Sequence, residues 1–384
     1  MLNTPSRLYS SLRLCQGLPR VWRSVRVQGF IYPYTPKSPY TYATRRPLSS
    51  AQSRSYATAY PFPPHIKTAS LTTVDFPLLM QHDPGEIEKL YKVACTDGFL
   101  YLKNHGIDAS PIFELATPLF SLPTEEKIKY DMGTSGYYFG YKPRGTQYVD
   151  SNGKPDTQEY YNISKDDILS VNRERGHPDP IYRYWEDLKR FSASSHNVVT
   201  TILRVLGERL GLDPEILPNL HKIDRQGGDH ARLTWTPPGN DENITFGAHT
   251  DFGSVTLLFN RLGGLQVIDG VDKEWTYVKP DPECAILNFG DSIVKLLGGR
   301  VQSGMHRVVT APGNQSEIPR VSVVYFARPN GDVPLRSVVE GDPPEEGKVM
   351  TADEWIKNRA IHRDTRNYKG KESYVLSKGT ERFD

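Results

Sequence analysis

Three His-x-Asp pairs in this 384-residue chain could each offer an imidazole and a carboxylate to one metal ion. They are His177 with Asp179, His249 with Asp251, and His362 with Asp364. The first pair lies in a proline loop and the third in a charged C-terminal segment. The second closes a run that reads as a strand, and residues i and i+2 of a strand point to the same face. The context therefore favours His249 and Asp251.

A third ligand for such an ion must come from a non-neighbouring strand. His306 lies in a β-rich run 57 residues after His249. Two histidines and one carboxylate leave coordination positions open, which suits a non-haem Fe(II) centre that activates O2. Ordinary alternatives stay open at this point: a surface pair at a strand end for His249 and Asp251, and a core histidine for His306.

Arg320 and Ser322 share one face of a predicted strand, 14 residues after His306 and, we expect, one hairpin away. A guanidinium that points into a barrel is unfavourable unless an anion meets it. With a hydroxyl beside it, the guanidinium suits capture of a carboxylate. Taken alone, Arg320 could equally reach solvent from a strand end, but the metal-ligand set ahead of it favours a buried anion site.

Residues 69–215 read as a helical region that precedes the strands. Hydrophobic spacing predicts helices over 86–97 and 110–119, one that begins with Thr124 as its cap, and a long one over 181–211. Short strands are expected at 71–76, 99–102 and 159–163, the last within the mostly loop segment 133–180.

After His230 the hydrophobic period changes to two. Eight short strands with no helix between them predict a β-sandwich or jelly roll, at 231–235, 246–251, 254–260, 264–268, 275–278, 285–288, 306–310 and 321–327. Residues 331–384 read as a charged tail with a short helix near 352–359.

Composition excludes several function classes. The net charge of +2 combines +10 on residues 1–74, which contain no acid, with −8 on residues 75–384. An acidic body argues against a nucleic-acid surface, which needs basic patches. No run approaches the roughly 18–20 apolar residues of a membrane span. Cys15, Cys95 and Cys284 are too far apart for a disulfide framework or a thiolate zinc site.

Residues 1–60 form a basic leader that is rich in Arg and Ser and free of acid, the composition of a mitochondrial transit peptide. The stretch from Arg54 to Ala57 resembles the cleavage site of such presequences, in which an Arg lies shortly before the cut. The alternative is a disordered tail on a cytoplasmic protein. We therefore expect a mitochondrial location, and a cytoplasmic one if the leader is only a tail.

From about residue 69 to 360 the chain resembles the 2-oxoglutarate/Fe(II)-dependent dioxygenases, in their isopenicillin N synthase-like branch. Segments 71–76, 97–106 and 122–127 look like the helical N-terminal region of that family. Its catalytic core is similar to the segments 247–251, 263–267, 287–291, 306–308 and 320–322.

The resemblance implies a mainly β fold with α-helices, in which a double-stranded β-helix (jelly-roll) core follows a helical N-terminal region. The implied organisation is a leader at 1–60, the helical region at 69–215, the core at 225–330 and a tail at 331–384. The implied cofactors are Fe(II), with 2-oxoglutarate and O2 as co-substrates and ascorbate as an aid in vitro. The implied reaction hydroxylates, desaturates or cyclises a small organic molecule and releases succinate and CO2.

The resemblance also assigns roles to residues. His249, Asp251 and His306 would hold Fe(II), while Arg320 and Ser322 would anchor the far carboxylate of 2-oxoglutarate. Many relatives carry an Asn and a Tyr on the strand before the iron pair, to help hold 2-oxoglutarate. This chain has Thr234 and Thr236 there, whose reach is shorter.

Two other functions remain open on the sequence. Isopenicillin N synthase keeps the Arg-x-Ser pair yet uses no 2-oxoglutarate, so an Fe(II) oxidase of that type is the first alternative. An inactive jelly-roll binding protein is the second.

We expect a monomer that acts on a small molecule. Phe252 and residues 160–162 should line its pocket, and residues 133–157 should form a lid.

The leader makes a prediction of its own. Residues 1–60 fused to a fluorescent protein should direct the fusion to mitochondria, because an acid-free basic leader is what the import machinery reads. Fluorescence microscopy beside a mitochondrial marker checks this. A fusion that stays in the cytosol would remove the targeting role.

Overall fold

Two β-sheets hold the residues that the sequence singled out. The computed structural model describes residues 59–172, 175–239, 243–268, 274–344 and 347–380. The described residues belong to one compact unit, Leu48–Asp384. Residues 1–58 lie outside them, so the leader and its cellular address stay predictions.

Twelve strands are present in the described part of the chain. They are β1 Thr72–Asp75, β2 Phe99–Lys103, β3 Gly140–Lys142, β4 Glu159–Ser164, β5 His230–Thr236, β6 Ile244–His249, β7 Val255–Asn260, β8 Leu265–Ile268, β9 Trp275–Tyr277, β10 Cys284–Phe289, β11 His306–Val309 and β12 Arg320–Ala327. The major sheet has the order β1-β2-β10-β7-β12-β5-β4-β3, and the minor sheet has the order β6-β11-β8-β9. The predicted jelly-roll core is confirmed.

The helices lie before, between and after these strands. They are α1 Phe76–Met80, α2 Pro84–Cys95, α3 Ser110–Phe120, α4 Thr124–Ile128, α5 Lys165–Ile168, α6 Asp179–Arg183, α7 Trp185–Arg209, α8 Ile216–Asn219, α9 Asp291–Leu296, α10 Ala352–Arg363 and α11 Lys371–Leu376. None of those in the described ranges has the length and apolar character needed to cross a bilayer.

Helix α7 covers the outer face of the major sheet. Its apolar stripe is buried, and the ring of Phe191 contacts those of Phe259 on β7 and Tyr325 on β12 at 5.7 and 6.3 Å between centroids. Side chains alternate across a strand, so the neighbours Val324 and Phe326 point to the inner face. Burial of each such large side chain contributes roughly 1.5–3 kcal/mol. The helix therefore fixes the sheet whose inner face forms the site.

The N-terminal strands belong to the same sheet as the core. β2 pairs antiparallel with β10, and β1 pairs parallel with β2. The ring of Phe99 meets that of His306 edge to face at 5.5 Å. A Cβ on Gly304 would lie 2.1 Å from the Phe99 ring, so only glycine fits there. The helical region thus reaches the histidine that the sequence proposed as a ligand.

Three sequence-based expectations about the core are wrong. β6 ends at His249, so Asp251 lies in the following loop and not on the strand. His306 and Arg320 are not one hairpin apart, because β11 belongs to the minor sheet and β12 to the major sheet. A helix, α9, interrupts the predicted all-strand region: the extended Gly290 is its N-cap residue, and the carbonyl of Gly290 accepts from the backbone N–H of Val294 at 3.4 Å.

Other differences concern helix ends. Pro123 is the N-cap residue of α4, and Thr124, the expected cap, is its first helical residue. The long helix begins at Trp185, since Tyr184 breaks it from α6. In the expected tail, α10 runs on to Arg363 and starts with a capping box between Thr351 and Glu354.

Candidate active site

His249 and His306 stand directly opposite each other on the paired strands β6 and β11. Their ring centroids are 4.1 Å apart. An oxygen of Asp251, Oδ1, lies 3.8 Å from His249 Nε2 and 3.9 Å from His306 Nε2. The three side chains are buried, and their potential ligand atoms all lie within 4.8 Å of one another. The structure therefore brings together the triad that the sequence singled out.

Hydrogen bonds aim these three groups at one point. The Nδ1–H of His249 donates to Gly247 O at 2.8 Å, and that of His306 donates to Gly304 O at 3.0 Å. Both Nε2 atoms keep their lone pairs for a ligand. Asp251 Oδ2 accepts from Thr256 Oγ1 at 2.7 Å and Asn288 Nδ2 at 2.8 Å, which leaves Oδ1 facing the rings. Such outer partners orient the ligands of most protein metal sites.

The charges of the triad suit a divalent cation. Burial lowers the pKa of His249 well below its usual value, so that imidazole is neutral. Burial alone would raise the pKa of Asp251, but His306 and the hydrogen bond from Asn288 hold it below its ordinary value. Two imidazole nitrogens and one carboxylate oxygen, with the other directions open, fit non-haem Fe(II).

A buried ion pair holds the loop that carries Asp251. The backbone N–H of Asp291 donates to Asp251 O at 2.8 Å, and Thr250 Oγ1 donates to Asp291 Oδ2 at 3.0 Å. Arg359 of α10, only 1% exposed, pairs with Asp291 and stacks on Phe252 at 4.3 Å. Asp291 lies in the family-like segment 287–291 but carried no predicted role, and no motif of the sequence includes Arg359.

Arg320 and Ser322 line a pocket of about 550 Å³ that the three triad residues also line; we term it the co-substrate pocket. Arg320 is 4% exposed and its Nε donates to Gly263 O at 2.6 Å. Gly264 has φ +105°, and a Cβ there would lie 3.1 Å from that Nε. Position 264 therefore has to be glycine for the Arg320 guanidinium to lie where it does.

Both side chains have unused hydrogen-bonding capacity. Ser322 Oγ is buried and has no hydrogen-bond partner among the described residues. Burial lowers the pKa of Arg320 to about 10, and none of the described carboxylates forms an ion pair with it. A buried cation beside an unpartnered hydroxyl fits a carboxylate group. The pocket therefore suits a diacid whose other end reaches the triad.

The two threonines differ in position. Thr234 lines the co-substrate pocket, and its Oγ1 accepts from the backbone N–H of Ser322 at 3.2 Å. Thr236 is not among the lining residues; its Oγ1 accepts from Gln158 Nε2 at 3.3 Å. Gln158 itself lines the pocket, and no sequence signal had indicated it. The role of Thr236 in binding a co-substrate stays a prediction.

A second pocket of about 680 Å³ shares His249 and Asp251 with the first; we term it the substrate pocket. Phe252 and Tyr160 line it, as expected, whereas Tyr161 and Asn162 do not. The lid segment supplies several lining residues between 133 and 147. Of the other His-x-Asp pairs, His177 instead meets Asp167 at 3.3 Å in the core, while Asp364 lines the substrate pocket from the C-terminal side.

Two family descriptions match this chain. Residues 228–329 match the 2OG-Fe(II) oxygenase superfamily, and residues 71–183 match the N-terminal region described as non-haem dioxygenase in morphine synthesis. The 2-oxoglutarate-dependent dioxygenase ecdG of Aspergillus rugulosus is 30% identical over 291 residues, which cover 72% of this chain and 85% of ecdG. The chain belongs to the 2OG-Fe(II) oxygenase superfamily.

Solved structures show the same fold for this oxygenase. A full-length Neurospora crassa protein in complex with alpha-KG has a TM-score of 0.63 and 24% identity, over 76% of this chain and 95% of that one. JOX2 in complex with 2OG, Fe and JA also has a TM-score of 0.63 and 24% identity, over 83% and 92%. The oxygenase uses Fe(II), 2-oxoglutarate and O2, as the sequence predicted, and is an enzyme. The alternatives of a 2-oxoglutarate-independent oxidase and of an inactive binding protein are not supported.

Replacement of Arg359 tests the support of the Asp251 loop. Arg359→Met should weaken Mn(II) binding by about tenfold or more, because it frees the Asp291 carboxylate that holds the loop. It should also destabilise the fold by about 3–5 kcal/mol, since one charge of a buried pair is left behind. Isothermal titration and thermal unfolding measure the two effects.

The matched control is Arg336→Met, which removes an exposed arginine that lines neither pocket and should change neither quantity. Unchanged metal affinity in Arg359→Met, with the fold intact, would contradict the assigned support.

Proposed function

We propose that His249, Asp251 and His306 bind Fe(II), and that Arg320 and Ser322 bind the far carboxylate of 2-oxoglutarate. The observation that carries this proposal is the shared lining of one pocket by three converging donor atoms, a buried unpaired guanidinium and a buried unpartnered hydroxyl. Bound Fe(II), with 2-oxoglutarate and O2, supplies the oxidising chemistry and releases succinate and CO2.

The chain's own residues bind and orient. Arg320 neutralises the far carboxylate and Ser322 donates a hydrogen bond to it, so the keto acid end is left to face the triad. Thr234 supports Ser322 through its backbone N–H. Phe99, Leu258 and Val324 form apolar walls of the co-substrate pocket, which keep bulk water away from the reacting groups.

The substrate occupies the substrate pocket in this proposal and is hydroxylated, desaturated or cyclised there. The pocket meets the triad at His249 and Asp251, and aromatic side chains form much of its wall. The Neurospora crassa protein has also been solved with alpha-KG and thymine, and JOX2 with 2OG and JA; small-molecule ligands in proteins of this fold support the assignment. We further propose that the protein is a monomer and that its leader carries a mitochondrial address. It binds no nucleic acid in this proposal, because residues 75–384 carry a charge of −8.

The first test is the stoichiometry of the reaction. With Fe(II), 2-oxoglutarate and ascorbate, purified protein should form succinate in step with O2 consumed, and His249→Ala should abolish both succinate formation and tight Fe(II) binding. An oxygen electrode, succinate chromatography and metal analysis measure these quantities. O2 uptake without succinate would instead indicate the oxidase reaction.

The second test concerns Arg320. Arg320→Ala should raise the Kd of 2-oxoglutarate by about 30-fold or more, because it removes the charged partner of a buried carboxylate. Mn(II) affinity should change by less than about threefold. Titration calorimetry on the Mn(II)-loaded protein compares the two, with Arg336→Ala as the matched surface control. Equal losses of both affinities would contradict the assignment.

A further inference from the structure

The substrate pocket contains more positive charge than the proposed co-substrate needs. Four basic side chains line it: Lys142, Arg232, Arg328 and Arg363. Lys142 is neutralised by a buried ion pair with Asp156, and the lining residue Asp364 pairs with Arg366 at 2.7 Å. Arg232 and Arg328 form no such pair with any carboxylate of the described residues.

Arg232 lies at the junction of the two pockets, since it lines both. Its Nε donates to Asn162 Oδ1 at 2.7 Å, and its guanidinium stacks on Tyr160 at 4.0 Å and Phe326 at 4.6 Å. The side chain of Arg232 is half-buried, and these contacts orient its guanidinium without neutralising it. Burial and the positive charge of Arg328 lower its pKa to about 10.

Arg328 is 3% exposed and stacks over Tyr138 at 4.4 Å. Its Nε and Nη1 are buried without a hydrogen-bond partner among the described residues. Asp229 accepts from its backbone N–H at 2.8 Å, and the guanidinium attracts the carboxylates of Asp229 and Asp353 without forming an ion pair with either. Arg328 therefore keeps buried N–H groups that an anion shared with the neighbouring Arg232 would satisfy.

That anion is not 2-oxoglutarate. Arg320, Ser322, Val324, Phe326 and Arg328 follow one another at every second position. The eight residue-to-residue steps from Arg320 to Arg328 span about 26 Å of extended chain. Arg320 lines the co-substrate pocket alone, and Arg328 the substrate pocket alone. One diacid whose keto end is at the triad cannot reach both.

We infer that the substrate is an organic carboxylate whose anionic group is bound by Arg232 and Arg328. Its apolar body lies against the aromatic walls that Tyr137, Phe252 and Phe326 contribute. A planar guanidinium pair recognises a carboxylate through parallel N–H···O bonds, and flat apolar groups stack well on aromatic rings. The inference rests on the proposed function, because it assigns the substrate of the same site.

The test uses the full chain loaded with Mn(II), which prevents turnover, and with saturating 2-oxoglutarate, which fills the co-substrate pocket. The probes are phenylacetate, cinnamate and decanoate, each beside its methyl ester, with phenyl phosphate as a different anion. Titration calorimetry should give at least one acid a Kd below about 1 mM, with its ester weaker by about tenfold or more.

Two variants connect this preference to the arginines. Arg232→Gln and Arg328→Gln should each weaken binding of that acid by about 30-fold or more. In Arg328→Gln, whose residue lines the substrate pocket alone, the Kd of 2-oxoglutarate should change by less than about threefold. Arg336→Gln is the matched surface control and should leave both affinities unchanged. Thermal unfolding adds a separate readout: Arg328→Gln should not lower the melting temperature of the substrate-free protein, whereas a purely structural arginine would.

The outcomes separate the two proposals. Four results would overturn the carboxylate inference and leave the proposed function standing. They are esters that bind as tightly as their acids, binding of phenyl phosphate alone, no binding of any acid, and an acid affinity that neither substitution changes. Failure of the wild-type protein to bind 2-oxoglutarate with Mn(II) would overturn the proposed function itself. If Arg328→Gln does not fold, Arg232→Gln decides alone.

Discussion

Two imidazoles and one carboxylate are held against each other inside an apolar barrel, and this arrangement governs the rest of the structure. The rings of His249 and His306 can face each other only because β6 and β11 pair in one register. The carboxylate of Asp251 lies on a loop, so Thr256, Asn288 and the Asp291–Arg359 pair must hold it. Each polar group is buried, and each would be unfavourable there without its hydrogen-bond partners.

The inner face of β12 distributes charge along the barrel. Arg320 and Ser322 lie at one end, apolar Val324 and Phe326 in the middle, and Arg328 beyond the strand's other end. On the neighbouring strand β5, Thr234 lies opposite Ser322, Arg232 opposite Val324 and His230 opposite Phe326. Alternation with a period of two therefore lets one pair of strands present Arg320 to the co-substrate pocket and Arg232 to the junction of the two pockets.

Local patterns were enough to predict much of this fold and site. The period-two runs after His230 located the core strands to within a few residues, and the triad with Arg320 and Ser322 followed from spacing and context. Long-range contacts could not be read in this way. The sequence has no local signal that Arg359 would return to Asp291, that Gln158 would replace Thr236 in the pocket wall, or that β11 and β12 would join different sheets. Arg328 continues the period-two spacing of β12, but only the folded protein shows that its Nε and Nη1 lack hydrogen-bond partners among the described residues.

The central claim is that the triad and Arg320 together bind Fe(II) and 2-oxoglutarate in one pocket. An anaerobic titration tests it most directly, because Fe(II) chelated by a keto acid has a visible charge-transfer absorption band. Wild-type protein should develop the band when both are added. His306→Ala should show none at any 2-oxoglutarate concentration, and Arg320→Ala should reach the full band only at much higher concentration. A full band in His306→Ala at the wild-type concentrations would contradict the account.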